Sequence, residues 1–404
     1  MTGSQTVKRR KVFYVPGYDP IHPRRYRELY RRESADQAQI SGYEISQTAK
    51  SGGGGYGWHV TAKIDGCETQ ADVEVLVWSD IVRSSMSQTI PATYAQLMRT
   101  AYEYIATGAL FRLMRLRKGP VIAALYPVGM LLLQLFAAIG LGIAVAAIPA
   151  NVIGGIIGNV IAAVFFAAVV VLVLRWFKSI DGKLFAYYLM HDYAYSARWR
   201  GANPPQLETR MAEFADAIIA AQEQGYDEIL VVGHSSGAHL SVSILADLLR
   251  ADRLHGTPVS FLSLGQVIPM VSFLRDAWRL RADLEFMAGQ DKIAWVDVTA
   301  PGDGCAFALC DPVSVTGVAP QDKKWPLVMS AAFTQSLSAA RWKELRWKFF
   351  RLHFQYLCAF DQPKDYDYFQ ITAGPITLRE RFADRPPSRS RKETPASRFT
   401  SVAP

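Results

Sequence analysis

The sequence predicts an α/β fold in which a mostly parallel sheet carries helices on both faces, with an inserted hairpin of two apolar helices. Short β-rich runs alternate with amphipathic helical segments, which is typical of parallel sheets covered on both sides. A block of 56 consecutive residues, 119–174, contains no Asp, Glu, Lys or Arg. The 404-residue chain is 50% hydrophobic and 20% charged, a composition that excludes a disordered chain.

The alternation can be followed along the chain. Strands are predicted at residues 12–15, as a pair within 43–64, and at 73–78, 229–232, 259–264 and 293–298. Helices are predicted at residues 23–35, 91–115, 206–224, 238–250 and 273–288.

The charge-free block predicts two membrane-spanning helices. One helix over the whole block would be about 84 Å long at ~1.5 Å per residue, whereas the hydrocarbon core of a bilayer is ~30 Å thick. Pro149, Asn151 and the glycines that follow favour a break. We therefore expect spans at about 121–148 and 152–177.

Basic residues flank the block on both sides, and the turn between the two spans carries no charge. They are Arg112, Arg115, Arg117, Lys118, Arg175 and Lys178. The positive-inside rule then predicts that both flanks, and the catalytic domain, are cytoplasmic; we take the membrane to be a bacterial inner membrane. Residues 1–10 lack the apolar core of a secretory signal. The net charge of +8 is attributed to the membrane surface rather than to nucleic acid, because no nucleic-acid-binding module is recognised.

These features divide the chain into four parts. Residues 1–118 are predicted to form the N-terminal part of the α/β domain, 119–178 the transmembrane hairpin, 179–383 the C-terminal part of the α/β domain, and 384–404 a disordered basic tail.

A serine lies on a predicted strand-to-helix turn. Residues 233–237 read Gly-His-Ser-Ser-Gly, which is the pattern G-x-S-x-G, with a buried-strand run before it and a helical segment after it. Such a turn exposes the hydroxyl of Ser235 at the carboxyl edge of the sheet, and Gly233 and Gly237 relieve the crowding. The helix that follows directs its amide groups towards the site, which favours a developing oxyanion.

This strand–serine–helix arrangement resembles the α/β-hydrolase superfamily, particularly its lipases and esterases with G-H-S-x-G. The resemblance implies the chain order Ser, acid, His, so the base must follow Ser235. His239 lies on the helix itself, and His255 precedes the next strand at the opposite sheet edge. His353 remains as the expected general base.

The resemblance also implies an acid in the loop after the strand at 293–298. Asp303 fits this position and is favoured. Asp297, within the strand, is the alternative, and Asp311 comes third.

An oxyanion hole needs two backbone N–H donors. The resemblance assigns one to Ser236, the residue after the nucleophile, and the other to the loop after the first strand. Gly17 or Tyr18 would donate from that loop.

The predicted function is a membrane-anchored serine hydrolase of the esterase, lipase or thioesterase type. Its expected partners are the lipid bilayer and a small-molecule or lipid acyl substrate, with no nucleic acid. An acyltransferase would use the same residues with an alcohol acceptor, and a non-catalytic membrane scaffold could retain the fold.

No cofactor or metal is expected. The glycine run at 52–57 satisfies G-x-G-x-x-G trivially, and no helix opens behind it, so a hairpin loop is favoured over a nucleotide site. The four cysteines lack the paired spacing of a zinc site and are taken as reduced cytosolic thiols: Cys67, Cys305, Cys310 and Cys358.

Overall fold

A computed structural model describes residues 6–50, 53–86 and 89–404. Residues 1–5, 51–52 and 87–88 lie outside the described residues, and so does the first residue of the glycine run at 52–57. The strands are β1 (Arg9–Val15), β2 (Glu44–Ala49), β3 (Gly57–Ile64), β4 (Cys67–Val75), β5 (Glu228–His234), β6 (Val259–Leu264), β7 (Ala294–Thr299) and β8 (Leu327–Ser330).

These strands form one eight-stranded sheet with the order β2-β3-β4-β1-β5-β6-β7-β8. All neighbouring pairs from β4 to β8 are parallel, and β2 and β3 extend the sheet as antiparallel strands. The prediction of an α/β fold with a mostly parallel sheet is thus confirmed. The short strand β8 was not predicted.

The helices before β5 include the two long apolar ones. They are α1 (Arg24–Ser41), α2 (Ser79–Ser85), α3 (Ile90–Ala106), α4 (Ala109–Leu116), α5 (Lys118–Val152), α6 (Gly155–Ser179), α7 (Asp181–Leu184), α8 (Ala186–Arg198) and α9 (Pro205–Gln222). The helix predicted over 91–115 is two helices, because Gly108 adopts a left-handed φ of 72° between α3 and α4.

The helices of the C-terminal part are mostly short. They are α10 (Gly237–Arg250), α11 (Ile268–Ser272), α12 (Trp278–Gly289), α13 (Pro312–Thr316), α14 (Phe333–Ser336), α15 (Ala339–Leu345), α16 (Phe349–His353), α17 (Tyr368–Ala373) and α18 (Leu378–Arg381). The helix predicted over 273–288 begins later, at Trp278.

The central strands β1, β5, β6 and β7 are buried on both faces of the sheet. Successive residues of a strand point to opposite sides, and in β1 Phe13 and Val15 enter one hydrophobic core whereas Val12 and Tyr14 enter the other. Between β1 and β5, the guanidinium of Arg10 donates to the carboxylate of Glu228 at 2.7 Å, and both side chains are fully buried. These two strands lead to the loops that form the candidate site.

Helices α5 and α6 pack against each other and are long and apolar enough to cross a membrane. Only 22% and 11% of their most apolar windows are buried inside the protein. Their break lies at Gly154 and Gly155, which have φ values of 66° and 61°, so the turn falls close to the predicted position. By length and composition, two candidate membrane helices are confirmed.

The C-terminal segment 384–404, predicted to be disordered, lacks regular helices and strands yet contacts the domain. The amide of Lys392 donates to the carbonyl of Leu309 at 2.7 Å, and the amide of Ala396 donates to Val315 at 2.8 Å. The guanidinium of Arg281 donates to Ser401 at 2.6 Å. The polar composition of residues 384–404 indicated disorder, but the segment forms hydrogen bonds with Leu309, with α13 and with the side chain of Arg281.

Candidate active site

Ser235 occupies a sharp turn between β5, which ends at His234, and α10, which begins at Gly237. Its φ of 56° lies in the left-handed region that non-glycine residues rarely adopt. The backbone amide of Ser235 donates to the carbonyl of Leu264 at 2.9 Å, which ties the turn to β6. Backbone strain of this kind is concentrated at functional sites.

The glycines that flank this turn have no room for a side chain. A Cβ atom on Gly237 would lie 2.0 Å from the carbonyl oxygen of Val15. One on Gly233 would lie 2.7 Å from Oγ of Ser241. The pattern G-x-S-x-G is therefore required here by close packing of the turn against β1 and α10.

The loop after β1 lies directly against Ser235. A Cβ atom on Gly17 would be 3.0 Å from Cβ of Ser235, and the indole of Trp78 anchors the loop by donating to Pro16 O at 2.9 Å. Within the described part of the chain, the backbone amides of Gly17, Tyr18 and Ser236 donate to no protein acceptor. The predicted oxyanion residues are thus near the serine with their N–H groups unused.

Asp303 and His353 form a buried hydrogen-bonded pair. Nδ1 of His353 lies 2.7 Å from Oδ2 of Asp303. The hydroxyl of Tyr356 donates to the same oxygen at 3.0 Å, and the amide of Cys305 donates to Oδ1 at 2.8 Å. Burial alone would raise the pKa of Asp303, but His353 and these hydrogen bonds outweigh it and lower the pKa. The carboxylate is therefore ionised and accepts the imidazole N–H.

His353 is held in place from two further sides. Nε2 of His234 lies 3.0 Å from the backbone carbonyl of His353, and the two rings are 4.9 Å apart. Burial, followed by the nearby His353, lowers the pKa of His234 to about 3, so it remains neutral. Gly265 has a φ of 54°, and a Cβ atom there would lie 3.1 Å from Cε1 of His353 and 2.7 Å from Cε2 of Tyr356.

Ser235, Gly17 and His353 line one cleft of about 1290 Å³. The cleft lies at the edge of the sheet where parallel strands end, which is where ligands bind in α/β proteins. Among the described residues, the Ser235 hydroxyl has no hydrogen-bond partner. Catalytic hydrogen bonds are often long before substrate binds, so this geometry is compatible with a serine that couples to His353 in a complex.

Asp297, the alternative acid, lies elsewhere. It is buried within β7, where Oδ1 accepts a hydrogen bond from Ser263 at 2.6 Å, and no hydrogen bond joins it to His353 in the described residues. Burial raises its pKa to about 8. Asp311, the third candidate, caps α13 and forms an ion pair with Lys323.

We expect Asp297→Asn to gain stability relative to the wild type as pH rises. The folded-state pKa of about 8 exceeds the ordinary 3.8, so between these values the folded protein binds more protons than the unfolded chain. Wild-type stability therefore falls with rising pH across this interval, whereas Asn does not titrate. Urea unfolding from about pH 5 to pH 9 measures the difference. Asp216→Asn, at an exposed carboxylate, is the control, and an equal gain in both variants would contradict the assignment.

The other histidines after Ser235 do not reach the cleft. His239 is buried on α10, and burial lowers its pKa to about 4. His255 is exposed in the loop before β6, at the other edge of the sheet. Their positions match those expected from the sequence.

Three side chains of the kind that bind metals lie close together here. The potential ligand atoms of Asp303, Cys305 and His353 are all within 4.8 Å of one another. Both carboxylate oxygens of Asp303 already accept hydrogen bonds. Burial raises the pKa of the Cys305 thiol well above its ordinary value, which disfavours the thiolate that a metal requires. The hydrogen bonds that Asp303 accepts therefore explain why these three side chains lie close together.

Three contributors to the site were not predicted. Tyr356 orients Asp303, and its hydroxyl also accepts a hydrogen bond from the amide of Ala300 at 2.9 Å. Gly265 makes room for His353, and Asp192 places a carboxyl in the cleft. Of these three, only Gly265 had a sequence signal: a glycine directly after a strand indicates that another group packs closely against the backbone there.

No protein-family model, curated protein or solved structure matches the chain. The chemistry of the site therefore has to follow from its geometry. A strained serine, an imidazole hydrogen-bonded to a buried carboxylate and unused backbone amides are together suited to acyl transfer through a covalent intermediate.

Proposed function

We propose that the chain is a membrane-anchored serine hydrolase of the α/β-hydrolase type that cleaves an ester or thioester of an amphiphilic substrate. The observation that carries the proposal is the 2.7 Å contact between Asp303 and His353, in the cleft that Ser235 also lines. The acid and the base follow Ser235 in the order of this superfamily.

In the proposed reaction, the Ser235 hydroxyl attacks the substrate carbonyl while Nε2 of His353 accepts its proton. Asp303 holds the N–H at Nδ1, which fixes the tautomer and stabilises the imidazolium. The imidazolium then protonates the leaving alcohol or thiol. Water, deprotonated by the same imidazole, attacks the acyl-enzyme and regenerates Ser235.

The oxyanion would be stabilised by the Ser236 amide together with that of Gly17 or Tyr18. The contact of Gly17 with Ser235 brings the first loop within reach of a substrate carbonyl. The N-terminus of α10 adds its positive dipole end at the same place.

The ends of the apolar hairpin adjoin the site, which favours an amphiphilic substrate. A Cβ atom on Gly119, at the start of α5, would lie 3.2 Å from the backbone oxygen of Gly304, beside Asp303. After α6, the ring of Phe185 is 5.9 Å from that of Phe350, on the helix that ends at His353. Pro120 and Phe185 both line the cleft. A substrate with an acyl chain in the bilayer would then have a short path to Ser235.

Exposed aromatic residues support contact with a membrane surface. Trp347 is 71% exposed, and Phe349 and Phe350 are also exposed, in a segment that carries several basic residues. Trp prefers the membrane interface, and cations near anionic headgroups contribute about 1 kcal/mol each. The basic flanks of the hairpin favour a cytoplasmic location of this face.

Labelling of the purified full-length protein with a fluorophosphonate probe tests the proposal. We expect a covalent adduct that mass spectrometry maps to Ser235 and that is lost in Ser235→Ala. Ser196→Ala, which removes another serine of the cleft lining, is the control and should retain the adduct. A folded wild-type protein that forms no adduct at Ser235 would refute the enzyme proposal.

A further inference from the structure

A second carboxyl group faces the cleft. Asp192 lies on α8, the helix that follows the hairpin, and lines the same cavity as Ser235 and His353. Its side chain is partly buried rather than exposed. The mechanism proposed above assigns it no role.

Asp192 differs from the other cleft carboxylates because it has no partner within the described part of the chain. Each of the others forms an ion pair or accepts hydrogen bonds: Asp19 with Arg25, Glu28 with Arg31, Glu33 with Arg32, Glu344 with Arg351, and Asp181 with the amides of Tyr187 and Tyr188. The other carboxylates of the cleft therefore have partners within the chain, whereas Asp192 has none among the described residues.

Three tyrosines line the same cleft as Asp192 and interact with it electrostatically: Tyr104, Tyr188 and Tyr193. Burial and then the Asp192 charge raise the pKa of Tyr104 and of Tyr188, and the same charge adds to the effect of burial on Tyr193. The hydroxyls of Tyr188 and Tyr104 donate to the backbone carbonyls of Tyr18 and Met270, which fixes the two rings.

An unpaired carboxylate in such a place is costly. Burial raises the pKa of Asp192 to about 7, and the electrostatic interaction with His353 opposes the shift. A ligand that brings its own positive charge would remove this cost and would also be attracted to the faces of the tyrosine rings.

We propose that Asp192, with Tyr104, Tyr188 and Tyr193, binds an alkylammonium group of the substrate, so that the enzyme cleaves esters carrying a cationic headgroup. This inference rests on the hydrolase function proposed above. The ammonium would lie in the same cleft as the carbonyl attacked by Ser235 and would orient the ester for attack.

The test compares two esters that differ in one atom. Full-length protein in detergent is assayed by pH-stat with hexanoylcholine and with the 3,3-dimethylbutyl ester of hexanoic acid, in which carbon replaces the charged nitrogen. We expect kcat/KM of the wild type to favour the cationic ester by about tenfold or more, because only the charged ester pairs with the Asp192 carboxylate in the cleft.

The ratio should fall to near one in Asp192→Asn. Glu28→Gln, which removes a cleft carboxylate already paired with Arg31, is the matched control and should retain the preference. A wild-type ratio near one, or an Asp192→Asn variant that keeps the ratio or loses activity equally on both esters, would overturn the proposal.

Binding separates this inference from the catalytic one. Calorimetry with tetramethylammonium needs no turnover, and we expect at least tenfold weaker binding to Asp192→Asn than to the wild type; equal binding would overturn the inference even in an active enzyme. Absence of a Ser235 adduct, in contrast, would refute the hydrolase function but not the ammonium-binding site.

Faster cleavage of phosphatidylcholine than of phosphatidylglycerol in mixed micelles would assign the ammonium to a lipid headgroup, and cleavage of hexanoylcholine alone would assign it to a soluble ester.

Discussion

Replacing Asp303 by Asn is expected to lower kcat by about 10⁴-fold, the effect of losing the carboxylate that orients a catalytic histidine. The Asp303 carboxylate accepts the N–H of His353 at Nδ1. An Asn side chain at this position can instead present its NH₂ group, which favours the tautomer whose Nε2 carries the proton and cannot accept one from Ser235. Steady-state hydrolysis of a soluble ester measures the loss.

Asp297→Asn is the matched comparison, because the two aspartates lie six residues apart on either side of the end of β7. Asp297 bonds to Ser263 and is remote from the imidazole hydrogen bond, so we expect kcat to stay close to that of the wild type. If Asp297→Asn abolished activity while Asp303→Asn retained it, the assignment of the acid would be reversed.

The strand-to-helix turn that carries Ser235 was predictable because its sequence signal is local. A buried-strand run, Gly233, Ser235, Gly237 and a helical segment follow one another without interruption, and the structure places them as β5, the strained turn and α10. Close packing requires the two glycines, so the pattern and the geometry have the same physical cause.

The choice between Asp303 and Asp297 was less accessible, because both lie where β7 ends. The resemblance favoured Asp303, because it implies an acid in the loop after the strand. In the structure, the two aspartates are distinguished by the side chains around them. Tyr356, more than fifty residues later in the chain, donates to Asp303, whereas Ser263 on β6 donates to Asp297. Contacts over such distances in sequence are set by the fold of the whole sheet.

Elements that sequence reasoning missed are short or depend on distant packing. Strand β8 has four residues, too few for a periodic pattern, and the break at Gly108 divides a segment that is otherwise continuous in its helical character. The carboxyl of Asp192 reaches the cleft because α8 packs against α3 and α5. No local pattern in residues 186–198 indicates that neighbourhood.

Deletion of the apolar hairpin is expected to convert the protein from a membrane-bound to a soluble form. Most of the surface of α5 and α6 is not buried by the rest of the chain, and Val152 and Ile156 are 80% and 84% exposed. A single span needs ~20 apolar residues, which each helix provides. Replacing residues 121–177 with a short Gly/Ser linker should therefore move the protein from the carbonate-resistant membrane pellet to the supernatant.

The linker begins after Pro120 and ends before Lys178, so the cleft residues on either side of the hairpin remain. Retention of the fluorophosphonate adduct at Ser235 would show that the released protein is folded. Because a membrane substrate reaches the site from the bilayer in this proposal, the soluble form should cleave a short soluble ester but lose activity on vesicles. A deletion variant that stays in the pellet would contradict the anchor, and a wild-type protein that is soluble without detergent would contradict both spans.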